Sequence, residues 1–203
     1  MLGWNENGHR YGKAQKFQSI LDLTDAKVRA NPLEIAVRAD DRALSYAEID
    51  RLANIVSQDI SEQGSYPDGE FFCICFDKSA AAIVSMLAVL KSGSASMPLG
   101  RSQPPARLES LLIGAEVQIV LTSPAHAELL STLPSHRRIV SVDLHDVAQR
   151  QLTQPCNSNH TMDEARAAYI LFTSGTTGQP KGVVVDHGAW SRAIASQIDL
   201  FRR

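Results

Sequence analysis

Several features that would assign a protein to a special class are scarce in this chain of 203 residues. It has three cysteines without a Cys-x-x-Cys pair, so we expect neither a zinc site nor a disulfide framework, and a reducing, cytoplasmic location fits best. The longest apolar run, residues 80–90, is far shorter than the about 20 residues that span a bilayer. The formal net charge is only −2, which predicts no binding to nucleic acid or to an anionic membrane.

The apolar content and its order along the chain indicate one α/β domain. Hydrophobic residues make up 44% of the chain, which suffices for a single core at this length. Residues 1–18 are polar and are predicted to form a loose N-terminal tail. From residue 19 to residue 203, helical and strand patterns alternate with short connections. This order predicts a doubly wound, largely parallel sheet with flanking helices.

Short sequence patterns predict where the individual helices and strands lie. Ser45 and Glu48 have the spacing of a capping box, and the uninterrupted apolar run 71–76 is typical of a strand that is covered on both faces. Helices are predicted at 19–30, 45–64, 80–91, 104–112, 125–133 and 189–201. Strands are predicted at 35–38, 43–44, 71–76, 95–99, 117–121, 139–142, 168–172 and 183–185. The polar residues 151–164 are interpreted as a surface linker.

The segment TSGTTGQPKG, residues 173–182, has the composition of a phosphate-binding loop. Its glycines allow main-chain N–H groups to approach a polyphosphate closely, its hydroxyls add hydrogen-bond donors, and Lys181 adds a compact positive charge. Strands are predicted directly before and after it. The candidate nucleotide-binding residues are Thr173, Ser174, Gly175, Thr176, Thr177, Gly178 and Lys181.

Two simpler interpretations of this segment are less consistent with its sequence. A Walker A loop requires Gly-Lys-Ser/Thr leading directly into a helix, whereas here Pro180 precedes the lysine and Gly182 follows it before a β-branched run. A plain flexible surface hairpin would not require this combination of hydroxyls, glycines and a lysine between two apolar strands. We therefore favour a nucleotide β- and γ-phosphate site.

The longer segment YILFTSGTTGQPKGVVVDH, residues 169–187, resembles the phosphate-loop signature of adenylate-forming (AMP-dependent) synthetases and ligases. This superfamily includes acyl-CoA synthetases, luciferases and the adenylation domains of nonribosomal peptide synthetases. Residues 44–54 and 90–99 resemble the first two core motifs of the peptide-synthetase domains. Residues 104–112 also resemble the peptide-synthetase sequences more closely than the acyl-CoA synthetase sequences. The chain departs from the family pattern at Met97 and at Gly100.

The resemblance implies attack of a carboxylate on the α-phosphorus of ATP, which gives an acyl-adenylate and pyrophosphate. It also implies Mg²⁺ with the nucleotide, an amino acid as the carboxylic substrate, and transfer to the phosphopantetheine thiol of a carrier protein domain. Hydroxyls, amides and the ammonium of Lys181 would stabilise the charge that grows on pyrophosphate. No residue of the chain is assigned as a metal ligand, because its histidines are scattered.

The same resemblance implies that the chain corresponds to the N-terminal portion of an adenylation domain. The family's late catalytic lysine has no counterpart, because no lysine follows Lys181, so no complete catalytic set is assigned and the chain alone is expected to be inactive. Two alternatives stay open: an acyl-CoA synthetase-like fragment, and a non-catalytic remnant that binds phosphate or a partner. His187 is interpreted as a structural residue at a helix entry, and Tyr169 and Trp190 as core or interface aromatics.

Overall fold

The computed structural model describes residues 17–64, 66, 70–100, 103–135, 137–152, 163–173 and 181–201, with side chains as far as residue 197. The predicted N-terminal tail lies outside these ranges except for its last two residues. Most of the predicted linker, residues 153–162, also lies outside them, so both assignments stay predictions. None of the helices in the described ranges is long and apolar enough to cross a membrane.

Helices and strands alternate through the described ranges as the sequence predicts. The helices are α1 (Ile20–Ala30), α2 (Tyr46–Glu62), α3 (Ala80–Lys91), α4 (Pro105–Gly114), α5 (Pro124–Ser131), α6 (Leu144–Gln149) and α7 (His187–Phe201). The strands are β1 (Ile35–Arg38), β2 (Ala43–Ser45), β3 (Phe71–Cys75), β4 (Ala95–Pro98), β5 (Ile119–Thr122), β6 (Arg138–Ser141), β7 (Ala167–Thr173) and β8 (Lys181–Asp186).

The capping box predicted at the start of α2 is confirmed. The Ser45 hydroxyl accepts from the Glu48 backbone N–H, and the Glu48 carboxylate accepts in return from the Ser45 N–H at 2.8 Å. The backbone hydrogen bond from Ser45 is the largest of the effects that lower the pKa of Glu48. Each partner thus satisfies a group that a helix end leaves without an intrahelical partner.

The main sheet of the described chain has six strands in the order β6-β5-β3-β4-β7-β8. All neighbours in it are parallel except β7 and β8, which are antiparallel. Strands β1 and β2 form a separate antiparallel pair. The predicted largely parallel sheet is therefore confirmed.

Side chains on both faces of this sheet are covered by helices. On β3, Phe72 and Ile74 join a core with α2, α3 and α6, whereas Cys73 and Cys75 join a second core with α4 and α5. Alternate residues of a strand point to opposite faces, so an uninterrupted apolar strand such as β3 requires a core on each side. The doubly wound arrangement follows directly from this requirement.

Helix α6 was not predicted from the sequence. It has six residues, and its first turn is capped by the side chain of Asp143. At its other end the Arg51 guanidinium, on α2, donates to the carbonyl oxygens of Ala148 and Arg150 at 3.1 Å each. A helix this short is marginal by itself, and a partner that is distant in the sequence helps to hold its last turn.

One charged pair lies between α2 and α3, beneath the surface. Lys91 Nζ is 2.8 Å from Asp50 Oδ1, and the side chains of Lys91 and Asp50 are 5% and 22% exposed. Asn54 also donates to the second Asp50 oxygen at 3.2 Å. A lysine this deeply buried requires a charged partner, because its ammonium has lost most of its water.

Candidate functional site

The ends of the predicted phosphate loop lie on two paired strands. Thr173 is the last residue of β7 and Lys181 is the first of β8, and they form the final pair of the antiparallel ladder. The Thr173 hydroxyl donates to the Lys181 carbonyl oxygen at 3.4 Å. Five further candidate residues lie outside the described ranges: Ser174, Gly175, Thr176, Thr177 and Gly178. Here, "the phosphate hairpin" means β7, residues 174–180 and β8.

The register of the hairpin determines which side chains share a face. Directly opposed residues of an antiparallel pair point to the same side, and the side alternates along each strand. Thr173 and Lys181 therefore share one face with Leu171 and Val183, and all four are exposed. The hydroxyl and ammonium that the sequence singled out thus lie side by side at the end of the hairpin.

The phosphate hairpin joins the main sheet at a position typical of ligand sites. Its β7 runs parallel to β4, with Ser96 opposite Tyr169, so Thr173 lies at the edge where the parallel strands have their carboxyl ends. In open α/β sheets, ligands bind outside this edge. The location of Thr173 and Lys181 therefore agrees with a binding role.

Two open cavities adjoin the hairpin, one on each face. On the face of Lys181, a cavity of about 590 Å³ lies between α3, the β1–β2 turn and the ends of β3 and β4, and Leu171 lines it. On the opposite face, a cavity of about 700 Å³ lies against α4 and is lined by Ile170, Phe172 and Gly182. Leu171 on one face, and Ile170, Phe172 and Gly182 on the other, therefore border open space.

Charge at the end of the hairpin is available to a ligand. Lys181 is exposed, and within the described ranges its ammonium has no ion-pair partner. In the same part of the chain, no three His, Cys, Asp or Glu side chains are arranged to hold a metal ion. The described end of the hairpin therefore offers a cation and hydrogen-bond donors, which suit an anion.

His187 lies at the opposite end of the hairpin, as the first residue of α7, which agrees with the predicted helix entry. It is 1% exposed, and neither ring nitrogen has a hydrogen-bond partner among the described residues. Burial lowers the pKa of His187, the Arg166 guanidinium lowers it further, and Asp186 opposes this shift. The fold therefore disfavours the protonated imidazole, which lies at the other end of β8 from Lys181.

We expect His187→Phe to reduce the loss of stability in acid. In the unfolded chain the histidine has an ordinary pKa of about 6.5, so it binds a proton at a higher pH than in the folded chain. The free energy of unfolding therefore decreases as the pH falls below this value. Urea unfolding at about pH 7.5 and about pH 5.5 should show a smaller drop for the variant than for the parent. Equal drops in the two proteins would contradict this assignment.

Two buried cysteines of β3 and one aromatic pair have structural roles. Cys73 and Cys75 are buried, and burial raises the pKa of both thiols, which makes them poor nucleophiles. Tyr169 and Trp190 pack edge to face, with ring centroids 5.3 Å apart. This pair joins β7 to α7, as expected for interface aromatics.

Comparison with known proteins determines the family. The family model described as AMP-binding enzyme matches residues 24–202. The chain belongs to this family. The match includes the whole main sheet and the phosphate hairpin, so the resemblance inferred from residues 169–187 is confirmed over most of the chain.

Peptide synthetases are prominent among the relatives of this AMP-binding chain. It is 61% identical to apicidin F synthase of Gibberella fujikuroi over 201 residues, which is 99% of this chain and 4% of that protein. The crystal structure of the nonribosomal peptide synthetase FmoA3, bound to α-methyl-L-serine-AMP, has a TM-score of 0.76 and 25% identity, over 92% of this chain and 20% of that one. The N-terminal subdomain of Klebsiella oxytoca NpsA shares the fold, with a TM-score of 0.71 and 20% identity.

The chain spans only a small part of the length of these relatives. The alignment with the NpsA N-terminal subdomain includes 84% of this chain but only 41% of the subdomain. Within the AMP-binding enzymes it therefore matches the N-terminal part of a peptide-synthetase adenylation domain, which confirms the expected family and fold. The assignment of individual phosphate-binding residues stays a prediction.

The packing of side chains within the hairpin was not predictable from the sequence. Ile170 and Phe172 were identified only as part of an apolar strand, and Gly182 only as part of the motif. Their contacts depend on how β8 lies against β7 and on the position of α4, neither of which a local pattern encodes. The sequence places Gly182 in the loop, just before the strand predicted at 183–185, whereas the structure includes it in β8 opposite Phe172.

Proposed function

We propose that the phosphate hairpin binds the polyphosphate of ATP, as part of a domain that activates an amino acid by adenylation. The observation that carries this proposal is the pairing of Thr173 with an exposed Lys181 at the carboxyl edge of the sheet. The Lys181 ammonium and the Thr173 hydroxyl can contact a phosphate group together if the hydroxyl turns from the Lys181 carbonyl, to which it donates at 3.4 Å, toward the phosphate. The family of AMP-binding enzymes supplies the nucleotide class.

The proposed role of the hairpin is electrostatic. During adenylation, a carboxylate oxygen bonds to the α-phosphorus while the bond to the β-phosphate oxygen breaks, so negative charge accumulates on pyrophosphate. Lys181 and the hydroxyls of the hairpin would stabilise this charge. Preorganised donors of this type are effective because they need not reorient during the reaction. The residues in this role are Thr173, Ser174, Gly175, Thr176, Thr177, Gly178 and Lys181.

Magnesium fits this proposal as a part of the nucleotide. The described residues contain no cluster of metal-ligating side chains, whereas the oxygens of a triphosphate are ligands that Mg²⁺ prefers. The phosphate oxygens of the nucleotide would therefore hold Mg²⁺, whose charge would offset a part of the negative charge that the hairpin must neutralise. Lys181 would contact the phosphate group.

The proposed substrate and partner follow from the relatives. FmoA3 is a nonribosomal peptide synthetase that was crystallised with an amino-acyl adenylate, and apicidin F synthase is 61% identical over almost the whole chain. We propose that the complete protein activates an amino acid and passes it to the phosphopantetheine thiol of a carrier domain. Because the chain spans 20% of the FmoA3 chain, we propose that these 203 residues alone bind MgATP without turnover.

Two measurements on the 203-residue chain test this proposal. Calorimetric titration with MgATP should show binding, while exchange of labelled pyrophosphate into ATP should be absent with every proteinogenic amino acid. Failure to bind MgATP would contradict the role of the hairpin. Amino-acid-dependent exchange would contradict only the second part, because it would show that this portion already contains a complete catalytic site.

A further inference from the structure

Gly182 lies next to Lys181 on β8 and has side chains of β7 packed across it. It is directly opposite Phe172 in the ladder. A Cβ atom at this glycine would lie 2.8 Å from Ile170 Cδ1, 3.4 Å from Ile170 Cγ1 and 3.4 Å from Phe172 Cε1. The shortest of these distances is well below the about 3.5 Å at which carbon atoms pack. The flexible end of the Ile170 side chain therefore occupies the position next to Gly182 and would have to move to admit a methyl group.

The backbone of Gly182 does not itself require a glycine. Among the described residues, positive φ angles at glycine occur at Gly64 and Gly93 and not at Gly182. A glycine inside a strand weakens that strand, because it has no side chain to pack and loses more backbone freedom. The close approach of Ile170 and Phe172 is the reason that the structure offers for a glycine here.

The Ile170 side chain is mostly buried. It is 6% exposed and belongs to the same core cluster as Met97, Leu99 and Leu111. The cavity of about 700 Å³ between the hairpin and α4 offers space next to it. A side chain at position 182 therefore requires either that the end of the Ile170 side chain turns toward this cavity, or that β8 moves away from β7.

We propose that Gly182 is a positioning residue for the phosphate hairpin, because its missing side chain lets Ile170 and Phe172 close over β8 and keeps Lys181 paired with Thr173. This inference rests on the proposed function, since it assigns a purpose to the position of Lys181. Gly182 itself would contact no ligand. It would act by keeping its neighbour Lys181 opposite Thr173, whose hydroxyl oxygen is 3.4 Å from the Lys181 carbonyl oxygen.

Three variants of the 203-residue chain test the inference. Gly182→Ala introduces the clash, and adding Ile170→Val to it removes the Cδ1 atom that the new methyl group would meet. Val183→Ala is the matched control, because Val183 is exposed on the other face of the same strand. Each isotope-labelled variant is examined for nuclear Overhauser contacts between Thr173 and Lys181, and for MgATP affinity by calorimetry.

We expect Gly182→Ala to lose the Thr173–Lys181 contacts and to weaken MgATP binding by about tenfold. The double variant should regain both, and Val183→Ala should keep both. Rescue by a smaller residue at position 170 is not expected from a general loss of stability, because Ile→Val itself removes core packing.

The inference is overturned if Gly182→Ala keeps the cross-strand contacts, because Ile170 would then have moved into the cavity without disturbing the hairpin. Lower thermal stability with unchanged MgATP affinity would also overturn it, as would a double variant that is not rescued. If the parent chain itself fails to bind MgATP, the proposed function fails, and the Thr173–Lys181 contacts still decide whether Gly182 positions the hairpin.

Discussion

Lys181→Met is expected to weaken MgATP binding to the chain by about 10- to 100-fold, the range of one lost charge-assisted hydrogen bond. Methionine keeps most of the apolar stem and removes the ammonium of Lys181, an exposed residue at the start of β8. Exposed charges are screened by salt, so the affinity of the parent should fall with salt concentration more steeply than that of the variant. Calorimetric titration at two salt concentrations measures both effects.

Arg192→Met is the matched control for this experiment. Arg192 is also an exposed cation, but it lies on α7, where it pairs with Glu164 at 3.5 Å. Its removal changes the net charge as much as Lys181→Met does, and we expect little effect on MgATP affinity. Equal losses in the two variants would show that MgATP responds only to the overall charge of the protein and not to the hairpin.

Asp50→Ala is expected to lower the free energy of unfolding by about 3 kcal/mol. Lys91 is 5% exposed, and its Nζ lies 2.8 Å from Asp50, so removal of the carboxylate leaves an uncompensated ammonium between α2 and α3. Desolvation of an unpaired charge is the main source of this cost. Urea unfolding followed by circular dichroism measures the change.

Two comparisons identify the cause of this loss. Adding Lys91→Met to Asp50→Ala should recover a part of the stability, because an apolar residue replaces the unpaired charge. Glu164→Ala breaks the exposed Arg192 pair, whose side chains are 68% and 54% exposed, and should cost about 0.5 kcal/mol or less. A double variant that is less stable than Asp50→Ala would indicate that packing, not charge, dominates at this position.

The predictable part of the fold came from signals within short segments. Ser45 and Glu48 form the capping box that their spacing predicts, and the apolar run of β3 is covered on both faces. The two strands flanking residues 173–182 were also recognised from composition. In each example, local backbone preference and burial favour the same structure.

The features that sequence reasoning missed depend on contacts between distant segments. The place of β7 beside β4 depends on the pairing of Ser96 with Tyr169, and the end of α6 is held by Arg51 from α2. The burial of Lys91 depends on Asp50 in the neighbouring helix. For the candidate site, the residue types of the hairpin were identifiable, but the contact of Ile170 with Gly182 was not.

Localisation of the bound polyphosphate by nuclear magnetic resonance tests the central claim most directly. The isotope-labelled 203-residue chain is titrated with MgATP and, separately, with inorganic triphosphate, which lacks adenosine. We predict that both ligands shift the amide signals of residues 173–182 and leave those of α1 and α6 unchanged. Shifts confined to another part of the chain, or no shift at the hairpin with either ligand, would contradict the claim.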